Sequence, residues 1–132
     1  MSNNKVVLIT GATSGMGELT ASYLASNGYI VYAGTRNKDN LESDNENINY
    51  IYLDVTKTQI IKEAVNLVIK KEGKIDVLVN NAGYGLLATI EEGTDEEIFN
   101  QFDVNVFGLI KTTREVLPYM REAKQGVIIN IS

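Results

Sequence analysis

Residues 5–17, KVVLITGATSGMG, decide how this chain is read. Residues 5–10 (KVVLIT) are a β-branched apolar run, the pattern of a strand buried on both faces. Three glycines follow at positions 11, 15 and 17, and from there helical spacing takes over. Met16, Thr20, Tyr23 and Leu24 form its apolar face over residues 15–27, and Gly28 stands where a helix stops. The order is strand, glycine loop, helix.

Outward from that unit the same alternation repeats. Residues 29–34 (YIVYAG) and 48–53 (INYIYL) read as second and third strands, with a polar stretch at 37–47 between them. Only Leu41 anchors that stretch, which predicts a short turn of helix and a loop. Thr56 and Gln59 have the spacing of a capping box ahead of a helix with Ile60, Ile61, Ala64, Val65 and Val68 on one face, ended by Gly73. Residues 75–79 (IDVLV) predict a fourth strand. Thr94 and Glu97 form a second capping box, opening a long helix over 94–117 that Pro118 should perturb. Residues 126–132 (GVIINIS) read as a fifth strand, again apolar on both faces.

Apolar strands joined by helical crossovers predict an α/β fold. The expected form is a Rossmann-like, doubly wound parallel sheet of five strands in the order 3-2-1-4-5, residues 1–132 forming one domain. In that setting each glycine of the loop has a separate reason. Gly11 allows a sharp turn, Gly15 lets backbone approach a pyrophosphate, and Gly17 permits close helix–strand packing. The helix N-terminus offers free N–H groups and positive dipole to phosphates, with Thr13 and Ser14 as hydroxyl donors. The competing reading is a glycine-rich turn with no ligand.

Composition narrows the chemistry. There is no His and no Cys, which excludes His-dependent triads, Cys nucleophiles, disulfides and Cys/His zinc sites within these residues. Seventeen acidic and twelve basic residues give a net charge of -5, so neither nucleic acid nor an anionic membrane is expected as partner. No apolar run approaches the ~20 residues that span a bilayer, and a cytoplasmic protein is expected.

The loop Thr10–Gly17 is Thr-Gly-x-x-x-Gly-x-Gly, and with three further motifs it resembles the short-chain dehydrogenase/reductase family. LDVT (residues 53–56) is similar to the family segment after the third strand, and NNAG (80–83) to the motif lining the cofactor after the fourth. FDVNVFG (102–108) is similar to the long-helix segment, which puts Asn105 at the catalytic Asn position. The resemblance implies a nicotinamide dinucleotide held by Gly11, Thr13, Ser14, Gly15, Met16, Gly17, Thr35, Arg36, Asp54, Val55, Asn81, Ala82 and Gly83. It also implies that Asn105 helps hold a water in a proton relay; the bland alternative is a core Asn satisfied by backbone or water. No metal is expected, and the acidic run at 91–97 reads as a solvated helix start.

The end of the second strand carries Thr35 and Arg36 where NAD-preferring folds carry an acid. A guanidinium there can pair with a 2′-phosphate, so NADP(H) is expected over NAD(H); a solvated surface Arg is the alternative. The family's Tyr-x-x-x-Lys pair does not occur in these residues, and its Ser is expected just after Ser132, with Ser132 itself as the alternative register. The chain is therefore expected to be the N-terminal, cofactor-binding part of an oxidoreductase acting on a small-molecule alcohol or ketone, and inactive alone. A non-catalytic dinucleotide-binding module and a truncated relic are the competing readings. An uncovered fifth strand and long helix predict self-association or a homo-oligomer.

Overall fold

The computed structural model describes residues 4–13, 15–39 and 41–132. Five strands form one parallel sheet: β1 (Val6–Ile9), β2 (Ile30–Thr35), β3 (Ile48–Tyr52), β4 (Val77–Asn80) and β5 (Val127–Asn130), ordered β3-β2-β1-β4-β5. Helices α1 (Gly15–Ser26), α2 (Thr58–Glu72), α3 (Asp95–Phe102) and α4 (Gly108–Ala123) supply the crossovers. The α/β class and the strand order are those expected from the sequence.

Alternation along β1 builds a core on each face of the sheet. Val6 and Leu8 pack with Val65 and Val68 of α2 and Val116 and Met120 of α4, while Val7 and Ile9 pack with Ala21 and Ala25 of α1. Asp76, buried just before β4, ties the strand starts together. Its Oδ2 accepts from the Val6 N–H at 2.8 Å and from Lys74 Nζ at 3.0 Å, and its backbone bridges Val6 and Val127.

Local details depart from the expectations in five places. The buried stripe of α1 is Gly17, Ala21 and Ala25, not the Met16–Thr20–Tyr23–Leu24 face; Met16, Leu19 and Tyr23 are exposed. Small residues win because they let the helix backbone settle close against the sheet. No described part of 37–47 is helical, since Asn37, Ser43 and Asn45 side chains each accept a nearby backbone N–H and hold turns instead. Thr56 caps nothing: its N–H and hydroxyl both donate to Asp54 Oδ1, and α2 starts at Thr58 with no side-chain cap. The long helix is α3, a π-helical turn (Asp103–Phe107) and α4, and it runs on through Pro118 to Ala123. Pro118 lies on an exposed face, where water can serve the carbonyl that its missing N–H would have met. β5 is not buried on both faces; Val127, Ile129 and Ile131 are exposed. The Thr94 cap forms as expected, its hydroxyl oxygen accepting from the Glu97 N–H, and Gly28 and Gly73 end α1 and α2.

Tyr32 of β2 is fully buried and donates to Glu72 Oε2 at 2.6 Å, fastening the end of α2 to the sheet. Burial first, and then the hydrogen bond and charge of Glu72, push its phenol above the usual range. In the unfolded chain the same phenol ionises near pH ~10. Above that pH the unfolded state holds fewer protons than the native one, so stability falls as pH rises. Denaturation midpoints measured from pH 8 to about pH 11 should therefore drop steeply in the natural chain and less steeply in Tyr32→Phe.

Candidate functional site

β1 sits between β2 and β4, and the chain leaves the two neighbours in opposite directions. The loop after β1 rises to α1 on one face, and the loop after β4 leads to α3 on the other, which opens a crevice at the carboxyl ends of the strands. The crevice is a cleft of about 980 Å³. Gly11, Thr13, Gly15, Met16, Thr35, Arg36, Asp54, Val55, Asn81, Ala82 and Gly83 line it, brought together from four separate loops. Two other residues named from the sequence do not line it. Gly17 is buried beneath the loop, and Asn105 lies behind Gly83. Ser14 lies outside the described residues.

The floor of the cleft is a crossing of two loops. Thr10 Oγ1 accepts from the N–H groups of Asn81 at 3.0 Å and Ala82 at 2.9 Å, and Asn81 Nδ2 donates to the Gly11 carbonyl at 3.1 Å. The crossing is tight. A Cβ on Gly11 would lie 2.7 Å from Ala82 Cα, and one on Gly17 would strike the Gly11 carbonyl oxygen and the Asn81 amide. Gly15 is the opposite case: its φ is +56°, and nothing lies within 4 Å of where its Cβ would stand. The loop is thus packed shut at two glycines and open at the third, on the side that lines the cleft at the N-terminus of α1. Bare backbone N–H groups with room in front of them suit a pyrophosphate, so these residues fit a dinucleotide.

At one end of the cleft, Thr35 is buried and its Oγ1 accepts from the Asn37 N–H at 3.0 Å. The turn this makes puts Arg36 on the surface beside the cleft, with no ion pair among the described residues. Across from it, Asp54 Oδ1 is held by Thr56, and Lys57 Nζ lies 4.0 Å from Oδ2.

At the other end, the π-helical turn sets Asn105 against the loop after β4. Its Oδ1 accepts from the Tyr84 N–H at 3.0 Å and its Nδ2 donates to the Tyr84 carbonyl at 2.7 Å. Any side chain on Gly83 would press on this amide, with a Cβ 3.0 Å from Oδ1. The part-buried Asn105 amide thus accepts one hydrogen bond from the Tyr84 backbone and donates one to it. Asn80 performs a similar brace across elements, its Nδ2 donating to Thr113 Oγ1 of α4 and Asn130 Oδ1 of β5, both at 3.0 Å.

The sequence reading missed Thr10 as the hub of the crossing, and missed Asn37, Asn100, Asp103 and Val104 in the cleft wall. The signal for the last three was present: spacing of three and four places them on one helical face that leads into Asn105. Thr10 had none, because only the fold reveals that its hydroxyl meets a loop seventy residues away.

The family described as short chain dehydrogenase matches residues 5–132. A 3-ketodihydrosphingosine reductase from Bacteroides thetaiotaomicron is 43% identical over 131 residues, covering 97% of this chain and 46% of its own length. A short-chain dehydrogenase from Streptomyces avermitilis superposes with a TM-score of 0.93 at 36% identity, over all of this chain and 50% of that one. ElxO with NADP bound has a TM-score of 0.91 at 33% identity, over 98% of this chain and 55% of its own. A 3-ketoacyl-(acyl-carrier-protein) reductase from Brucella melitensis, complexed with NADH, also gives 0.91 at 36% identity, over 97% and 56%. The chain spans about half the length of the curated relatives it matches.

If the loop crossing holds the cleft together, its hub should be sensitive. Thr10→Val strands two N–H groups and should lower stability by about 2 kcal/mol. Thr10→Ser keeps the acceptor and should recover most of that loss, read as urea midpoints at constant slope.

Proposed function

The chain belongs to the short-chain dehydrogenase family, and on that premise we propose that it is the cofactor-binding part of an NADP(H)-dependent oxidoreductase of cytoplasmic location acting on an alcohol or ketone. When bound, the nicotinamide cofactor gives or takes the hydride. The chain's own residues bind and orient it. Gly15 and the N-terminus of α1 receive the pyrophosphate, Gly11, Met16 and Gly17 shape that loop, and Thr13 and Ser14 are proposed hydroxyl donors. Asp54 and Val55 meet the adenine, Asn81, Ala82 and Gly83 line the far half, and Thr35 with Arg36 takes the 2′-phosphate.

One observation carries the preference for NADP(H): Arg36 borders the cleft with no ion pair among the described residues, where a ribose-binding carboxylate would otherwise be. An exposed guanidinium there can form a charge-assisted pair with a phosphate. Both NADP and NADH are named in the neighbours' complexes, so the preference rests on this chain's own residue. Arg36→Asp should cost roughly tenfold or more in NADPH affinity while leaving NADH no weaker, read by fluorescence titration. An unchanged ratio of the two affinities would overturn the assignment.

In this reading Asn105 grips the Tyr84 backbone and helps hold a water in the proton relay, whose Tyr-x-x-x-Lys pair does not occur in these residues. No turnover is expected from this chain alone. Its exposed apolar surfaces point to self-association: Val127 and Ile129 on the edge strand with Ile131 just past it, and Phe99, Phe102, Val106 and Ile110 along α3–α4. Sedimentation should show an average mass that rises with concentration, and a clean monomer at micromolar concentration would contradict it.

A further inference from the structure

The helical wall of the cleft, α3 and the π-helical turn after it, carries two rows of residues. Gln101 and Asn105 form the first and hold the loop after β4. Gln101 Oε1 accepts from the Leu86 N–H at 2.9 Å, and Asn105 grips the Tyr84 backbone. Asn100, Val104 and Gly108 form the second, and its later members meet the loop after β3. Val104 packs against the core cluster that contains Leu53 and Val55, and a Cβ on Gly108 would lie 2.6 Å from Val55 Cγ2. Asn100 begins this row one turn earlier and lines the cleft.

Leu53, Val55, Ala82 and Val104 all line the same cleft, so this part of it has an apolar platform. Polar groups border the platform from two elements, Asp54 from the loop after β3 and Asn100 and Asp103 from the helical wall. Two of them are engaged. Thr56 holds Asp54 Oδ1, and Lys111 Nζ lies 3.9 Å from Asp103 Oδ1. Asn100 is exposed, and its side chain makes no hydrogen bond among the described residues.

An apolar platform with a carboxamide at its rim suits a purine. A carboxamide matches adenine at two atoms together, its oxygen accepting from the 6-amino group and its NH2 donating to N7. Resting on the cofactor reading above, in which Asp54 and Val55 meet the adenine, we infer that Asn100 is a specificity-determining residue that reads the N7 edge of that base. Its Oδ1 accepts from the 6-amino group and its Nδ2 donates to N7. The base is then held from both elements, and the helix that carries the amide is already fixed through Gln101 and Asn105 before the ligand arrives.

The test compares NADPH with its 7-deazaadenine analogue, which keeps the 6-amino group and lacks the N7 acceptor, by fluorescence titration of the full chain. The natural chain should bind NADPH about fivefold more tightly than the analogue. Asn100→Ala should bind the two alike, and Asn100→Asp, which keeps an acceptor and loses the donor, should also lose the preference. Equal binding of the two compounds by the natural chain overturns the inference. So does a preference that survives in Asn100→Ala, which would give N7 to another group. Should Asn100→Ala fail to fold by circular dichroism, the natural chain and Asn100→Asp still decide. Failure of NADPH itself to bind would instead sink the underlying cofactor assignment, and the inference with it.

Discussion

The cleft exists because two loops are made to cross at the carboxyl end of neighbouring strands. Thr10, Gly11 and Gly17 come from one side, Asn81 and Ala82 from the other, and every polar contact between them is short. The crossing needs a hydroxyl acceptor at one position and the absence of a side chain at two. It leaves Gly15 as bare backbone at a helix start, which is where an anion is best received. Positions further out inherit their places from this point. Arg36 and Asp54 follow from strands paired to β1, and Asn105 follows from the loop that leaves β4.

A chain of net charge -5 cannot draw a phosphorylated ligand by its overall field, so attraction has to be local. The α1 N-terminus and Arg36, which has no ion pair among the described residues, both border the cleft and can provide it.

Much of this was legible in the residues. Apolar runs marked the strands, and three glycines in a strand–loop–helix setting marked the loop after β1, because the pattern there is local and each residue has one physical job. Where the reading failed, a neighbour distant in sequence decided the outcome. Met16 and Tyr23 have helical spacing, yet Ala21 and Ala25 face the sheet, since small side chains let α1 approach it. Thr56 has the spacing of a cap, yet Asp54 takes its hydroxyl. The π-helical turn at Asp103–Phe107 has no signature in composition; it becomes intelligible only once Asn105 is seen gripping Tyr84.

The central claim is that the loop crossing and the surrounding strand ends receive a doubly phosphorylated adenosine with its pyrophosphate on α1. Backbone amide shifts of the uniformly labelled chain, followed during titration with NADPH, test it directly. The account predicts the largest changes at Gly11, Gly15, Arg36, Val55 and Ala82, and little change at Tyr50 and Leu67 in the groove beside β3. Shifts concentrated in that groove, or no saturable shifts at all, would contradict it.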